Sequence, residues 1–169
     1  MKKLVIAFIL LINYNIQSQE VCKKMIVKND EVTETTVISS EEFELNNFSL
    51  SIIAGTRKGS YPKIIFKIKN ECIDEYQPIY IIFTNDEKIK TANYVYNYNC
   101  DGFSGLIINN ANSKKLLNTE KIKTIRVDTR KNYYQIDLTN EQAESIKSVI
   151  QCAFDRKSWE SQIKYKANW

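Results

Sequence analysis

The clearest pattern of hydrophobic and polar positions lies in the last third of the chain, where a predicted hairpin leads directly into a predicted helix. Apolar and polar residues alternate over 125–128 and again over 133–138, which is the period of half-buried strands. Thr139 and Gln142 have the spacing of a capping box, and apolar residues then recur at helical spacing. This pattern predicts a helix over about 140–157 that packs on a sheet.

The remainder of the chain is predicted to consist mainly of strands. Residues 64–68, 79–83 and 89–98 have the pattern of an antiparallel meander, in which 79–83 lies centrally because it is apolar on both faces. In one continuous strand, the apolar residues before Asn46 and those after Asn47 would lie on opposite faces. A bulge near Asn46 and Asn47 would bring them to the same face and is therefore predicted.

Smaller features complete the predicted secondary structure. The segments 24–28 and 32–38 are predicted to form a hairpin, 106–108 a short buried strand, and 109–115 a loop. About eight or nine strands and one main helix result. The predicted fold class is therefore α+β, mostly β: a twisted antiparallel sheet or open barrel with the C-terminal helix packed on it. A two-sheet sandwich with a peripheral helix is the alternative.

The N-terminus has the pattern of a signal peptide. Lys2 and Lys3 precede an apolar run over 4–12, and Ser18 is a small residue after which a signal peptidase can cleave. The run is shorter than the ~20 residues that span a bilayer. We therefore predict a signal peptide over 1–18 and a single domain over 19–169. After cleavage the protein is predicted to be secreted or periplasmic, with no stable membrane anchor.

The charge balance adds little to this prediction. The chain has 24 basic and 20 acidic residues, and removal of Lys2 and Lys3 reduces the net charge of +4 to about +2. The basic residues are scattered among acidic ones, whereas nucleic-acid binding requires a concentrated basic surface. No nucleic-acid partner is predicted.

All four cysteines lie in the predicted exported part. An even number of cysteines in an oxidising compartment predicts two disulfides. Cys72 and Cys100 follow the two strands of the meander that run in the same direction, so they are expected at the same end of the sheet. This favours the pairs Cys72–Cys100 and Cys22–Cys152 over the two other connectivities.

The sequence contains no histidine, which removes the usual base of serine and cysteine hydrolases and a common metal ligand. Gly102, Ser104 and Gly105 resemble part of a nucleophile elbow, but one glycine is displaced by one position, and a turn is the preferred interpretation. The segment starting at Asn97 resembles the first half of a calcium-binding loop, but Ile108 occupies the position of the bidentate glutamate. No catalytic residue, metal site or cofactor is predicted.

Aromatic residues are the remaining candidates for binding. Tyr94, Tyr96 and Tyr98 recur at a spacing of two, so a strand would place all three on one face. Tyrosines can bind a flat ligand or a sugar by stacking, but the core-facing side of an amphipathic strand is the preferred interpretation. Trp159 and Trp169 are predicted to be exposed in the C-terminal tail, where they could contact a partner.

Together these features predict a non-catalytic binding or interaction module, stabilised by disulfides, for an unknown protein or small-molecule ligand. A hydrolase that uses carboxylates alone is a third hypothesis. The order of strands followed by a late helix resembles the lipocalin-like barrel, although the N-terminal Gly-x-Trp motif of that group is missing. That resemblance implies the alternative function, a carrier of a small apolar or aromatic ligand in a barrel mouth.

Overall fold

The computed structural model describes Cys22, residues 25–57 and residues 60–164. The predicted signal peptide and Trp169 lie outside the described residues. The described part contains ten strands and two helices, α1 and α2, followed by two short 3-10 turns. The strands are β1 (Ile26–Asp30), β2 (Thr35–Ser39), β3 (Phe43–Leu45), β4 (Phe48–Ile53), β5 (Lys63–Ile68), β6 (Pro78–Phe83), β7 (Lys88–Ala92), β8 (Phe103–Ile107), β9 (Ile122–Asp128) and β10 (Tyr133–Asp137); the helices are α1 (Ala111–Thr119) and α2 (Asn140–Phe154).

The strands form two antiparallel sheets. The larger has the order β1-β2-β4-β5-β8, with β3 paired to β4, and the smaller has the order β10-β9-β6-β7. Neither sheet closes on itself. The predicted fold class is confirmed: the molecule is mostly β, with a C-terminal helix packed on antiparallel sheets.

Apolar residues from both sheets and from α2 form one core. On α2, the residues Ile146, Val149 and Ile150 are buried, and the helix contacts β4 of the larger sheet and β9 of the smaller one. Full burial of a side chain of this size contributes roughly 1.5–3 kcal/mol. The apolar stripe of α2 therefore joins the two sheets.

The start of α2 agrees with the prediction in atomic detail. The backbone N–H of Gln142 donates to Oγ1 of Thr139 at 3.2 Å, and the backbone N–H of Thr139 donates to Oε1 of Gln142 at 2.9 Å. These two bonds form the predicted capping box. They satisfy donors that the first turn of a helix otherwise leaves without partners.

The end of α2 differs from the prediction. The helix ends at Phe154, and the chain continues in two 3-10 turns that fold the tail back. Trp159 is consequently 2% exposed, and its Nε1 donates to the carbonyl oxygen of Cys152 at 3.1 Å. The prediction that Trp159 is exposed is wrong, because the tail turns back after Phe154 and buries the indole against the end of α2.

Three local predictions are corrected. The predicted bulge at Asn46 is a hairpin turn between β3 and β4, in which Asn46 has a φ of 55°; asparagine tolerates this left-handed conformation. The predicted meander is wrong, because β5 belongs to the larger sheet and β6 to the smaller. Most of the predicted loop 109–115 belongs to α1, whose N-cap Asn110 accepts the backbone N–H of Ser113 at 2.7 Å.

The structure contains the disulfides Cys72–Cys100 and Cys22–Cys152. This is the pairing that the sequence favoured. The Cys72–Cys100 disulfide, however, does not follow two strands of a meander as predicted, because β7, which precedes Cys100 in the chain, belongs to the smaller sheet. This disulfide connects the segment after β5 to the segment before β8, and β5 and β8 are neighbours in the larger sheet.

Candidate functional site

Two connected segments outside the ten strands form the most distinctive surface feature. Residues 71–77 and 93–102, hereafter the clamped loops, are joined by the Cys72–Cys100 disulfide. Ile73 and Asn99 exchange backbone hydrogen bonds of 2.8 and 3.0 Å beside it. A covalent bond and paired backbone bonds thus hold the two segments in one conformation.

The side chain of Asn93 organises the second loop. It is fully buried, and its Nδ2 donates to the carbonyl oxygens of Asp74 at 3.2 Å and Tyr96 at 2.8 Å. Its Oδ1 accepts the backbone N–H groups of Val95, Tyr96 and Gly105 at 3.1–3.3 Å. The amide therefore takes over backbone bonds that would otherwise belong to a continuing strand.

This arrangement overturns the preferred interpretation of the three tyrosines. Strand β7 ends at Ala92, so the residues after it do not alternate between two faces. Tyr94 is 60% exposed and Tyr98 is 54% exposed, whereas Asn93 is buried. The prediction of a core-facing tyrosine side is wrong for Tyr94 and Tyr98, because the amide of Asn93 satisfies its hydrogen bonds internally and occupies the buried position.

Tyr96 differs from its two neighbours. Its ring is half-buried and lies 5.5 Å from the ring of Phe103, measured between centroids. Burial raises the pKa of the Tyr96 phenol above its ordinary value. Tyr96 therefore contributes to packing inside the loops and is less exposed than Tyr94 and Tyr98.

Tyr94 contacts Tyr76, which lies in the other clamped loop. The rings of Tyr94 and Tyr76 lie 5.6 Å apart in an edge-to-face arrangement, and Tyr76 is also 60% exposed. A hydrogen bond to Glu75, together with its negative charge, raises the pKa of the Tyr76 phenol. Tyr76 follows acidic residues in a predicted turn, and no periodic pattern marks it.

Tyr98 lies beside the Cys72–Cys100 disulfide and near the guanidinium group of Arg130. Its hydroxyl donates to Sγ of Cys100 at 3.0 Å, and the guanidinium carbon of Arg130 lies 5.9 Å from its ring centroid. The Nε of Arg130 is 3.9 Å from a carboxylate oxygen of Asp74. The backbone N–H of Arg130 donates to the carbonyl oxygen of Cys72 at 3.3 Å. We call Tyr76, Tyr94, Tyr98 and Arg130 the tyrosine surface.

A second feature is a cavity of about 340 Å³ beside the end of α2. It exists because α2 ends at Phe154 and the tail folds back, which makes the buried Trp159 one of its walls. We call it the Trp159 cavity. Its lining includes Tyr61, Pro62, Lys114, Phe154, Arg156 and Trp159, together with small and polar residues such as Ser60, Asn109 and Asn110.

The candidate hydrolase motif lies in a strand. Residues 103–107 form β8, so the predicted turn at Ser104 is wrong. Ser104 is fully buried, and its Oγ has no hydrogen-bond partner among the described residues. An inaccessible hydroxyl cannot attack a substrate in solution.

The glycine in the segment that resembles a calcium-binding loop, Gly102, has a structural role. Its φ is +77°, and a side chain there would collide with the carbonyl oxygen of Ile68. The glycine is thus required by the close approach of two backbones. In the described part of the chain, no group of three or more cysteine, aspartate and glutamate side chains is placed to hold a metal ion.

Comparison with known proteins gives no relative: no family model, no curated protein and no solved structure matches the chain. Any function must therefore be argued from the sites themselves. Within the described residues, no helix has both the length and the apolar character needed to cross a membrane.

Proposed function

We propose that the protein is an exported, disulfide-stabilised and non-catalytic binding module, and that its tyrosine surface contacts a protein partner. The observation that carries this proposal is the exposure of Tyr76, Tyr94 and Tyr98, each more than half exposed although the clamped loops around them are tightly bonded. Tyrosine is enriched where proteins bind one another, because it has an apolar ring and a polar tip.

The rigidity of the clamped loops supports the proposal. Association costs roughly 0.5–1.5 kcal/mol for each flexible side chain that becomes ordered. The disulfide, the Ile73–Asn99 backbone bonds and the buried Asn93 hold the loops in one conformation before any partner arrives. Two disulfides are also compatible with export to an oxidising compartment.

A comparative capture experiment tests this proposal. The full-length protein and a Tyr76→Ser/Tyr94→Ser variant are immobilised and exposed to the extracellular fraction of the host. Tyr133→Ser is the matched control, because Tyr133 is 57% exposed but lies on β10, outside the tyrosine surface. We expect a partner that the parent and the control retain and the double variant loses. Equal capture by all three proteins would contradict the proposal.

The Trp159 cavity favours a second candidate function, the carrying of a small ligand. Ligand sites are typically concave, largely apolar and about 300–1,000 Å³ in volume, and this cavity measures about 340 Å³. Its position differs from the predicted one, since the sheets do not close and provide no barrel mouth. Native mass spectrometry of protein purified from its host is the test: a bound small molecule supports a carrier, and ligand-free protein contradicts it.

A further inference from the structure

The Trp159 cavity combines apolar walls with cationic side chains. Tyr61, Pro62, Phe154 and the buried Trp159 are among the apolar and aromatic residues that line it. Lys114 and Arg156 also border the cavity, and none of the described residues that line it is acidic. The charged residues that line the cavity are therefore all cationic, whereas the chain as a whole has 24 basic and 20 acidic residues.

The two cations remain available to a ligand. The ammonium of Lys114 lies 5.5 Å from the ring centroid of Phe154, so it is held against a cavity wall. Among the described residues Lys114 takes part in no salt bridge. Arg156 pairs with Glu160 through Nε at 3.1 Å, which leaves its terminal amino groups free of that carboxylate, and Glu160 does not line the cavity.

The physical chemistry of this combination selects one class of ligand. A cation would be repelled by Lys114 and Arg156. An uncharged apolar molecule would displace water from these two charged groups and offer them no hydrogen-bond acceptor in return. An inorganic anion would leave the aromatic walls in contact with water. An organic anion with an apolar body satisfies both parts of the cavity.

We propose that the Trp159 cavity binds a small organic anion, with its apolar body against Phe154 and Trp159 and its carboxylate-like group between Lys114 and Arg156. This inference rests on the second candidate function above, the carrier, and adds the charge of the ligand to it. It is independent of the tyrosine surface.

Octanoate, 1-octanol and octylammonium form a suitable set of probes, because they share one chain and differ in charge. Binding to the full-length protein is measured by calorimetry. The same titrations are followed by the fluorescence of Trp159 in a Trp169→Phe background, which leaves Trp159 as the only tryptophan. We expect octanoate to bind at least about tenfold more tightly than the other two probes, and to change the Trp159 emission.

Variants then locate the charge contacts. Each cation is expected to contribute a few-fold in affinity, so Lys114→Gln/Arg156→Gln should weaken octanoate binding about tenfold if the contributions add. The same variant should leave 1-octanol binding unchanged. Lys115→Gln/Lys157→Gln is the matched control, since both lysines are exposed sequence neighbours that do not line the cavity.

The outcomes separate the two ideas. Equal affinity for octanoate and 1-octanol, or an octanoate affinity that is the same in both double variants, would overturn the proposed anion preference and leave the carrier function standing. If calorimetry detects no binding of any probe, both the anion preference and the carrier function are wrong.

Discussion

The sheet core and the clamped loops are stabilised by different interactions. In the core, large apolar side chains such as Phe48 and Phe66 pack edge to face at 6.2 Å and are almost completely buried. In the clamped loops, the buried side chain of Asn93 forms hydrogen bonds to five backbone groups, and a disulfide joins the segments. The aromatic residues Tyr76 and Tyr94 face solvent there.

This contrast explains where a binding surface can form in such a small protein. In a regular strand over 93–99, outward-facing tyrosines would place the asparagines that alternate with them next to the core. In the clamped loops an amide replaces the apolar side chain as the buried group, so several tyrosines can face outward together. Their exposure is tolerated because Asn93 and the disulfide, rather than aromatic burial, stabilise the segment.

The largest expected effects come from the disulfides, which differ between the two regions. Cys22–Cys152 closes a loop with a sequence separation of 130 residues, and Cys72–Cys100 one of 28 residues. In the chain-entropy model these separations correspond to about 5 and about 3.5 kcal/mol. We therefore expect Cys22→Ala/Cys152→Ala to lower the free energy of unfolding more than Cys72→Ala/Cys100→Ala in urea titrations.

If Cys72→Ala/Cys100→Ala instead caused the larger loss of unfolding free energy, the Cys72–Cys100 disulfide would stabilise the protein by more than the entropy of loop closure. Hydrogen exchange provides the control for that comparison. Removal of Cys72–Cys100 should increase exchange mainly at backbone groups of the clamped loops, such as those of Ile73 and Asn99, because the disulfide lies beside their hydrogen bonds.

The second prediction concerns Asn93 itself. Asn93→Ala removes the partners of three backbone N–H groups and two carbonyl oxygens around it. An unsatisfied buried polar group costs about 1–3 kcal/mol, and water can reach some of these groups, so we expect a total loss of roughly 3–4 kcal/mol. Thermal melts measure it.

Asn97→Ala is the control for Asn93→Ala. Asn97 lies in the same loop but is exposed, so its replacement should change the stability by less than about 0.5 kcal/mol. Similar melting temperatures for the two variants would mean that the Asn93 amide does not hold the loop.

The smallest expected effects distinguish the tyrosines from one another. Tyr96→Ala removes a half-buried ring that packs on Phe103, and we expect it to cost roughly 1–2 kcal/mol. Tyr94→Ala removes an exposed ring and should cost at most about 0.5 kcal/mol. If denaturant titrations gave Tyr94→Ala the larger loss, Tyr94 would have a structural role and the tyrosine surface would lose one of its members.

The strong local signals predicted their elements well. The position of α2, its cap at Thr139 and its apolar face depend on residues within a few turns of one another, so their spacing in the chain is sufficient evidence. The predicted end of α2 is about three residues too late, because residues 155–157 include neither glycine nor proline to mark the end of a helix. The burial of Trp159 follows from the packing of the tail.

The candidate sites were less predictable. Tyr94 and Tyr98 were identified as binding candidates, but alternation placed them in a strand, whereas they lie in a loop that the side chain of Asn93 organises. Tyr76 carried no signal, since its contact with Tyr94 joins residues from two different loops. The Trp159 cavity also depends on long-range contacts, because its walls come from segments as distant as Tyr61 and Trp159.

The sequence by itself determined the mostly β class, the capped C-terminal helix and the even set of cysteines that form two disulfides. These features depend on residue type and on short-range periodicity. Only the tertiary structure decided how the strands divide between two sheets, which side of the clamped loops is buried, and where the tail closes the Trp159 cavity. Each of these depends on which distant segments pack together, and several arrangements satisfy the same local pattern of apolar and polar residues.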